Sequence, residues 1–127
     1  LVLRRQRQMC IRDRPLPWLG LCIMTYIIGV FFHFAADMQK HTILAVQPGL
    51  ITTGLWSRLR NPNYFGELLI YLGFVAIPLH WLPLTALGAM ISAYWIPRML
   101  KKDASLARYP EWPAYRARSK RFIPFIW

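Results

Sequence analysis

The sequence predicts an all-α membrane protein, a polytopic chain with about three transmembrane helices and a basic tail. Hydrophobic residues make up 56% of its 127 residues, with ten prolines and six tryptophans, which is unusual for a soluble domain. Residues 15–36 contain no Asp, Glu, Lys or Arg, and residues 64–97 contain only Glu67. All 16 lysines and arginines lie outside these two runs. We therefore expect the bilayer, rather than a soluble core, to surround the apolar segments.

Residues 1–14 differ from the rest of the chain, because they are basic, begin without methionine and contain the run MCIRD. Translation of a transposon end used in preparing sequencing libraries gives the same run. We interpret the segment as adapter-derived and not native, with a genuine juxtamembrane segment as the alternative. Under the first interpretation, five arginines and one aspartate are not native, and the net charge falls from +11 to +7. This interpretation leaves residues 15–127 as a transmembrane domain truncated at its N-terminal side.

Residues 15–36 predict the first spanning helix. Their number matches the roughly 20 residues that cross about 30 Å of hydrocarbon as an α-helix. The titratable side chains of this run are Cys22, Tyr26 and His33, and only His33 titrates near neutral pH in its unperturbed form. Asp37 and Lys40 then mark a polar exit, and we expect a loop around the run QPG at residues 47–49.

Residues 64–97 predict a tight helical hairpin, because the run PLHWLP at residues 78–83 divides them into two shorter apolar pieces. Pro62 suits the first position of a helix and disfavours helical backbone at the residue before it, so Asn61 is predicted to be an N-cap. In the tail, Pro110 and Pro113 are expected to interrupt regular helix before a last turn at residues 115–121. A buried hairpin of a soluble protein is the alternative for the whole region.

The placement of the positive charge follows the positive-inside pattern. Eight basic residues fall between residues 98 and 121, and two crossings put this tail on the same face as residues 37–63, which we expect to be cytoplasmic. Some of the tail arginines can simply contact anionic lipid head groups. The chain has no basic-aromatic RNA-binding motif, and its glycines form no nucleotide-binding fingerprint, so nucleic acid is not an expected partner. The two cysteines suggest no metal or redox site.

The densest polar segment is the run GLWSRLRNPNYFGE at residues 54–67. Arg58 and Arg60 supply guanidinium groups suited to phosphate, and the free N–H groups of a helix start also favour anions. Glu67 would lie one turn inside the helix on the same face as Asn63 and Gly66, and an ionised carboxylate there needs protein or water around it. A phosphate-bearing cofactor therefore fits the segment. A helix cap with head-group contacts, and Glu67 paired to an arginine, fits the spacing equally well.

This segment resembles the Gly-Leu-Trp…Arg-His-Pro-Asn-Tyr-Phe-Gly-Glu signature of bacterial steroid 5α-reductase-like membrane proteins, with Asn61 where the family usually has histidine. The run DASLARYPEWPAY at residues 103–115 and the closing FIPFI at residues 122–126 are similar to the C-terminus of steroid and sterol reductases. Asp37 resembles an aspartate that lies beside the cofactor in this family. The similarity extends from about His33 to the end of the chain.

The resemblance implies an all-α fold of around seven helices, of which this chain would be the C-terminal part, enclosing NADPH without a Rossmann domain. It implies three groups of cofactor-binding residues. The nicotinamide side would be lined by Asn63, Tyr64 and Glu67, the phosphates would be neutralised by Arg58, Arg60 and Lys102, and the adenosine half would lie near Asp103, Tyr109 and Tyr115. The glutamate and tyrosine that polarise the substrate carbonyl in steroid reductases come from earlier helices, so no catalytic residue is assigned here.

The reaction implied by the resemblance is reduction of an enone-type C=C bond in a steroid- or lipid-like substrate with NADPH. Membrane lipids and an apolar substrate are the expected partners, no metal is expected, and a bacterial inner membrane is the expected location. His33 and His80 are interpreted as interfacial or helix-end histidines, and Trp81, Trp95, Trp112 and Trp127 as interface anchors.

Two other functions remain open. An isoprenylcysteine carboxyl methyltransferase-like enzyme shares the Arg-x-Pro-x-Tyr-x-Gly kernel at residues 60–66 and would use S-adenosylmethionine. That family usually has paired glutamates ahead of its C-terminal tyrosines, whereas this sequence has Lys101, Lys102 and Asp103, and Asn63 and Glu67 also favour the reductase. The third possibility is a non-catalytic lipid-binding protein that retains the fold.

Overall fold

The computed structural model describes residues 15–127, and the segment interpreted as adapter-derived lies outside this range. The described chain is all-helical, as predicted, with no strand and one isolated bridge between Leu59 and Lys120. The five α-helices are α1 Leu16–Val46, α2 Pro62–Val75, α3 Trp81–Met90, α4 Ile96–Leu106 and α5 Trp112–Arg118. A 3-10 turn, Gly54–Trp56, precedes α2, and a π-helical turn, Ile91–Trp95, joins α3 directly to α4.

Helix α1 is longer than predicted, because it continues past Ala36 to Val46. The prediction that the helix ends near Ala36 is wrong. Asp37 and Lys40 lie within the helix, and no proline or glycine interrupts residues 37–46. Among the described helices, α1 is the one that is long and apolar enough to cross a membrane. Only 17% of its most apolar 18-residue window is buried. Such exposed apolar side chains suit contact with lipid.

Helices α1 and α2 pack closely because glycines face each other. A Cβ added to Gly29 would lie 2.6 Å from the carbonyl oxygen of Gly66, and one added to Gly66 would meet the backbone of His33. Gly73, two turns further along α2, meets Cys22 and Tyr26 in the same way. The absence of side chains at these positions lets the two backbones touch, which is a typical device of membrane helix pairs.

The predicted hairpin is present, with its turn at residues 76–80 between α2 and α3. Helix α2 and helix α3 are each shorter than a bilayer crossing, so a polytopic arrangement stays a prediction. Trp95, Met99 and Phe122 form a buried cluster against which Tyr64 packs. Phe122 brings the tail back to the helices, so the C-terminal segment helps to close the core.

Candidate functional site

The segment between α1 and α2 is anchored to the C-terminal half of α1. Trp56 is buried, and its indole N–H donates to the carbonyl oxygen of Ala36 at 3.1 Å. The side-chain oxygen of Gln39 accepts from the backbone N–H of Leu55 at 2.9 Å. Ala36 is the last residue of the predicted helix and Gln39 lies in the extension that the sequence did not predict, so both parts of α1 position this segment.

The C-terminal tail pairs with the same segment from the other side. The backbone N–H of Arg60 donates to the carbonyl oxygen of Lys120 at 2.7 Å, and the backbone N–H of Lys120 donates to the carbonyl oxygen of Arg58 at 2.9 Å. The side-chain amide of Asn61 donates to the carbonyl oxygen of Arg121 at 2.7 Å. Asn61 occupies the predicted N-cap position, but it makes no side-chain capping bond. Its fully buried amide joins the start of α2 to the tail instead.

Asp103 of α4 lies between two arginines at this junction. Its Oδ1 is 3.4 Å from Nε of Arg60 without hydrogen-bond geometry, and its Oδ2 accepts from Nε of Arg121 at 2.7 Å. The Arg60 guanidinium also donates to the hydroxyl of Ser119 at 3.3 Å. The side chains of Arg60 and Asp103 are 7% and 10% exposed. Two buried or half-buried cations therefore share one carboxylate.

Lys102 adds a third cation beside this group. Its ammonium donates to the carbonyl oxygen of Arg60 at 2.9 Å and to the side-chain oxygen of Asn61 at 3.1 Å, and it lies 4.6 Å from the centre of the Trp56 ring. Burial, and then the nearby charge of Lys40, lowers the pKa of Lys102 to about 8. An anion bound beside this ammonium would stabilise its charged form.

Tyr115 of α5 completes the junction. It is buried, and its hydroxyl donates to the carbonyl oxygen of Trp56 at 2.6 Å. Burial raises the pKa of Tyr115 to about 12, so the phenol stays neutral and acts as a donor. Its role in this arrangement is to hold the 3-10 turn against α5.

Three neighbouring cavities surround these residues. The central one, of about 160 Å³, has Lys40, Arg60 and Lys102 in its wall together with Trp56 and Tyr115. A cavity of about 360 Å³ shares residues 49–51 with it and extends to residues 109–111. An open groove of about 470 Å³ shares Lys40 with it and extends along α1 to residue 37. The central cavity therefore shares wall residues with both of its neighbours.

A polar group lies where α1 meets the start of α2. His33 Nδ1 is 3.3 Å from the carbonyl oxygen of Asn63, and His33 Nε2 is 3.7 Å from a carboxylate oxygen of Asp37. The side-chain oxygen of Asn63 is buried and has no hydrogen-bond partner among residues 15–127. It is therefore a buried acceptor that lies apart from the three cavities.

The family model described as protein of unknown function (DUF1295) matches residues 8–121. This is the steroid 5α-reductase-like family. The chain belongs to it. The family is membrane-associated, in agreement with the apolar α1. No curated protein matches the chain.

The structure brings together four of the residues that the steroid 5α-reductase-like signature indicated: Arg60, Lys102, Asp103 and Tyr115. Tyr109 lines the cavity of about 360 Å³, and Asp37 lines the open groove. The remaining four, Arg58, Asn63, Tyr64 and Glu67, lie outside the walls of these three cavities.

Asn63 lies beside His33, and the ring of Tyr64 packs 5.5 Å from that of Trp95. Arg58 is exposed, and Glu67 is half-buried on α2. The sequence did not lead us to assign Trp56, Ser119 or Arg121 to the site. Trp56 belongs to the family signature and could have been found from it. Nothing in the sequence pattern distinguishes Arg121 from the other tail arginines.

The largest described cavity, about 550 Å³, lies elsewhere. It is almost entirely apolar and is formed by α1, α2 and the start of α3, near Trp18 and Trp81. On α2 it begins at Leu72, ten residues beyond Pro62, or about 15 Å along the helix axis. That separation keeps it apart from the basic site.

Proposed function

We propose that this chain is part of an integral membrane oxidoreductase that reduces an enone-type C=C bond of a steroid- or lipid-like substrate with NADPH. The observation that carries the proposal is the excess of cations at the central cavity. Lys40, Arg60 and Lys102 line this cavity, and no Asp or Glu side chain among residues 15–127 belongs to its wall. The nearby carboxylate of Asp103 is shared between Arg60 and Arg121, so it does not balance the three cations of the wall, and these favour an anionic ligand.

NADPH fits the residues present. Its phosphates are matched by Lys40, Arg60 and Lys102, and an elongated dinucleotide suits a row of adjoining cavities. When bound, NADPH supplies the hydride. The residues of this chain bind the phosphates and hold the loop, the tail and α4 together.

S-adenosylmethionine fits the same cavity less well. Its reactive centre is a positively charged sulfonium, and the cavity wall places Lys40, Arg60 and Lys102 around the ligand. Like charges at short range disfavour binding, particularly where water is excluded. The electrostatics therefore favour the reductase over the methyltransferase. A non-catalytic lipid-binding protein would have no evident need for this concentration of buried cations.

For the membrane arrangement, we propose that α1 crosses the bilayer and that α2 and α3 form a shorter hairpin beside it. The basic tail and the segment between α1 and α2 would then lie on the cytoplasmic side of a bacterial inner membrane. The support is the distribution of charge, since Arg98 and every later basic residue follow the apolar part of the hairpin. NADPH, a cytosolic cofactor, would reach the site from that side.

A calorimetric titration of the purified chain in detergent micelles tests the proposal. NADPH and S-adenosylmethionine are titrated against the unmodified chain, Lys102→Met and Lys101→Met. Lys101 is the matched control, because it is exposed and precedes Lys102 on α4. Loss of a charge-assisted contact predicts a Kd for NADPH raised about tenfold or more in Lys102→Met and little changed in Lys101→Met.

The other outcomes distinguish the alternatives. Binding of S-adenosylmethionine alone would replace the reductase by a methyltransferase. Binding of neither ligand by a folded chain would favour the non-catalytic lipid-binding protein. An equal loss in both lysine variants would mean that NADPH responds to the overall charge of the tail and not to the central cavity.

A further inference from the structure

A second basic cavity, of about 240 Å³, lies on the tail side of Arg60. Four cations line it, two of which pair with Asp103 outside the wall, and no Asp or Glu side chain of the described chain belongs to the wall itself. The four cations are Arg60, Arg116, Lys120 and Arg121. Ser119 adds a hydroxyl, and two apolar residues, Ile126 and Trp127, close one side. Such a wall selects an anionic ligand that also has an apolar part.

The cavity lies at the level where the apolar helices end. Lys120 pairs through its backbone with Arg60, two residues before α2 begins at Pro62. Two residues after Lys120, the ring of Phe122 packs 6.2 Å from that of Trp95 within the buried cluster. The tail therefore passes along the boundary between the basic face and the apolar helices.

Beyond Phe122 the tail forms a closed loop with an apolar tip. The backbone N–H of Phe122 donates to the carbonyl oxygen of Trp127 at 2.8 Å, and the Arg121 guanidinium lies 4.7 Å from the centre of the Trp127 ring. Phe125 is 96% exposed and Ile126 is 73% exposed. The loop thus holds three apolar side chains, at residues 125–127, outward beside four cations.

We propose that this cavity binds the phosphodiester head group of an anionic phospholipid, with residues 125–127 inserted among the adjoining acyl chains. A free phosphate has the same charge chemistry, but it would leave Phe125 and Ile126 in water. Clusters of basic residues at a membrane boundary attract anionic lipids, and tryptophan is favoured at that depth. The proposal does not rest on the reductase, since Arg116 and Lys120 do not line the central cavity.

The test titrates the full chain in micelles with three probes: dihexanoyl phosphatidylglycerol, dihexanoyl phosphatidylcholine and inorganic phosphate. The site variant combines Arg116→Gln with Lys120→Gln, both at exposed positions whose substitution leaves the core intact. The control combines Arg98→Gln with Lys101→Gln, which removes the same charge from exposed positions of α4. A third variant, Phe125→Ser with Ile126→Ser, removes most of the apolar tip.

The proposal predicts saturable binding of phosphatidylglycerol that weakens about tenfold or more in the site variant and less than about twofold in the control. The tip variant should weaken phosphatidylglycerol and leave inorganic phosphate unchanged. Any one of four results would overturn the proposal. Phosphatidylcholine or inorganic phosphate could bind as tightly as phosphatidylglycerol, the control variant could lose as much affinity as the site variant, or phosphatidylglycerol could fail to bind. NADPH is titrated against the same variants, and its unchanged affinity would separate this site from the proposed cofactor site.

Discussion

Removing the carboxylate of Asp103 should loosen the junction between the loop, α4 and the tail. The substitution Asp103→Asn keeps the shape of the side chain and deletes its charge. Arg60, whose Nε lies 3.4 Å from Oδ1, and Arg121, whose Nε donates to Oδ2 at 2.7 Å, then lose their shared counter-ion. The remaining cations at the junction repel one another without compensation.

The size of the effect follows from burial. Breaking a buried ion pair by removing one partner costs about 3–5 kcal/mol, because the other charge stays desolvated. Arg60 is buried, with 7% of its side chain exposed, but Arg121 is 18% exposed and regains some contact with water. We therefore expect the lower end of this range, about 3 kcal/mol, which changes the folded-to-unfolded ratio by more than about a hundredfold.

The assay is a denaturant titration in micelles that gives the free energy of unfolding of the unmodified chain, Asp103→Asn and Glu111→Gln. Glu111 is an exposed acidic residue at the start of α5, so its conversion to the amide is the matched control and should change stability by less than about 0.5 kcal/mol. If Asp103→Asn also lies within about 1 kcal/mol of the unmodified chain, the shared carboxylate does not hold this junction together.

Three further predictions concern single positions. Gly66→Ala should destabilise the chain by about 1–3 kcal/mol in the same assay, because the new Cβ meets the backbone of α1. Gly20→Ala is the control, since Gly20 has open space around it, and equal effects of the two substitutions would contradict close packing at Gly66. Tyr115→Phe should cost about 1–3 kcal/mol by leaving a carbonyl oxygen without its donor, and an unchanged midpoint would refute this. Because the pKa of Lys102 is lowered to about 8, its charge is lost as the pH rises through that value, and the affinity for NADPH, measured by calorimetry, should fall from pH 7 to pH 9. Lys102→Arg should abolish this pH dependence, and a pH dependence that persists in the variant would assign the titration to another group.

Hydropathy and proline positions predicted the all-helical fold and the hairpin turn correctly. The expected break at Pro113 was wrong, because this proline lies in the first turn of α5, where its missing N–H costs no hydrogen bond. The predicted end of α1 was wrong because Asp37 and Lys40 end the apolar run without ending the helix. Both residues are compatible with a helix, and residues 37–46 contain no helix breaker. Polarity marks where a helix leaves the apolar region, and only a breaker or a cap marks where the helix itself ends.

Asn61 shows how tertiary contacts override a local preference. Its position before Pro62 correctly predicted the start of α2, but its side chain bonds to Lys102 and to the backbone of Arg121 in place of capping the helix. These partners are distant in the sequence, so a local pattern could not reveal them. The same limitation applies to Asp103, whose two arginines come from separate parts of the chain.

The grouping of Arg60, Lys102, Asp103 and Tyr115 was anticipated only through the family resemblance. Composition and spacing supplied a basic tail and a polar segment, with head-group binding as an equal alternative. In the structure Lys40 and Lys102 line the central cavity, Arg116, Lys120 and Arg121 line the tail cavity, and Arg60 lines both, whereas Lys101 is simply exposed. This division depends on the backbone pairing of Arg60 with Lys120, which has no signature in the sequence.

The central claim, that the cation-lined cavity binds NADPH, is tested most directly by following the fluorescence of NADPH as the folded chain is added in micelles, with NADP⁺ and S-adenosylmethionine as competitors. The proposal predicts a saturable change in emission that NADP⁺ reverses and S-adenosylmethionine does not. A signal that does not saturate, or one that S-adenosylmethionine reverses while NADP⁺ has no effect, would contradict it.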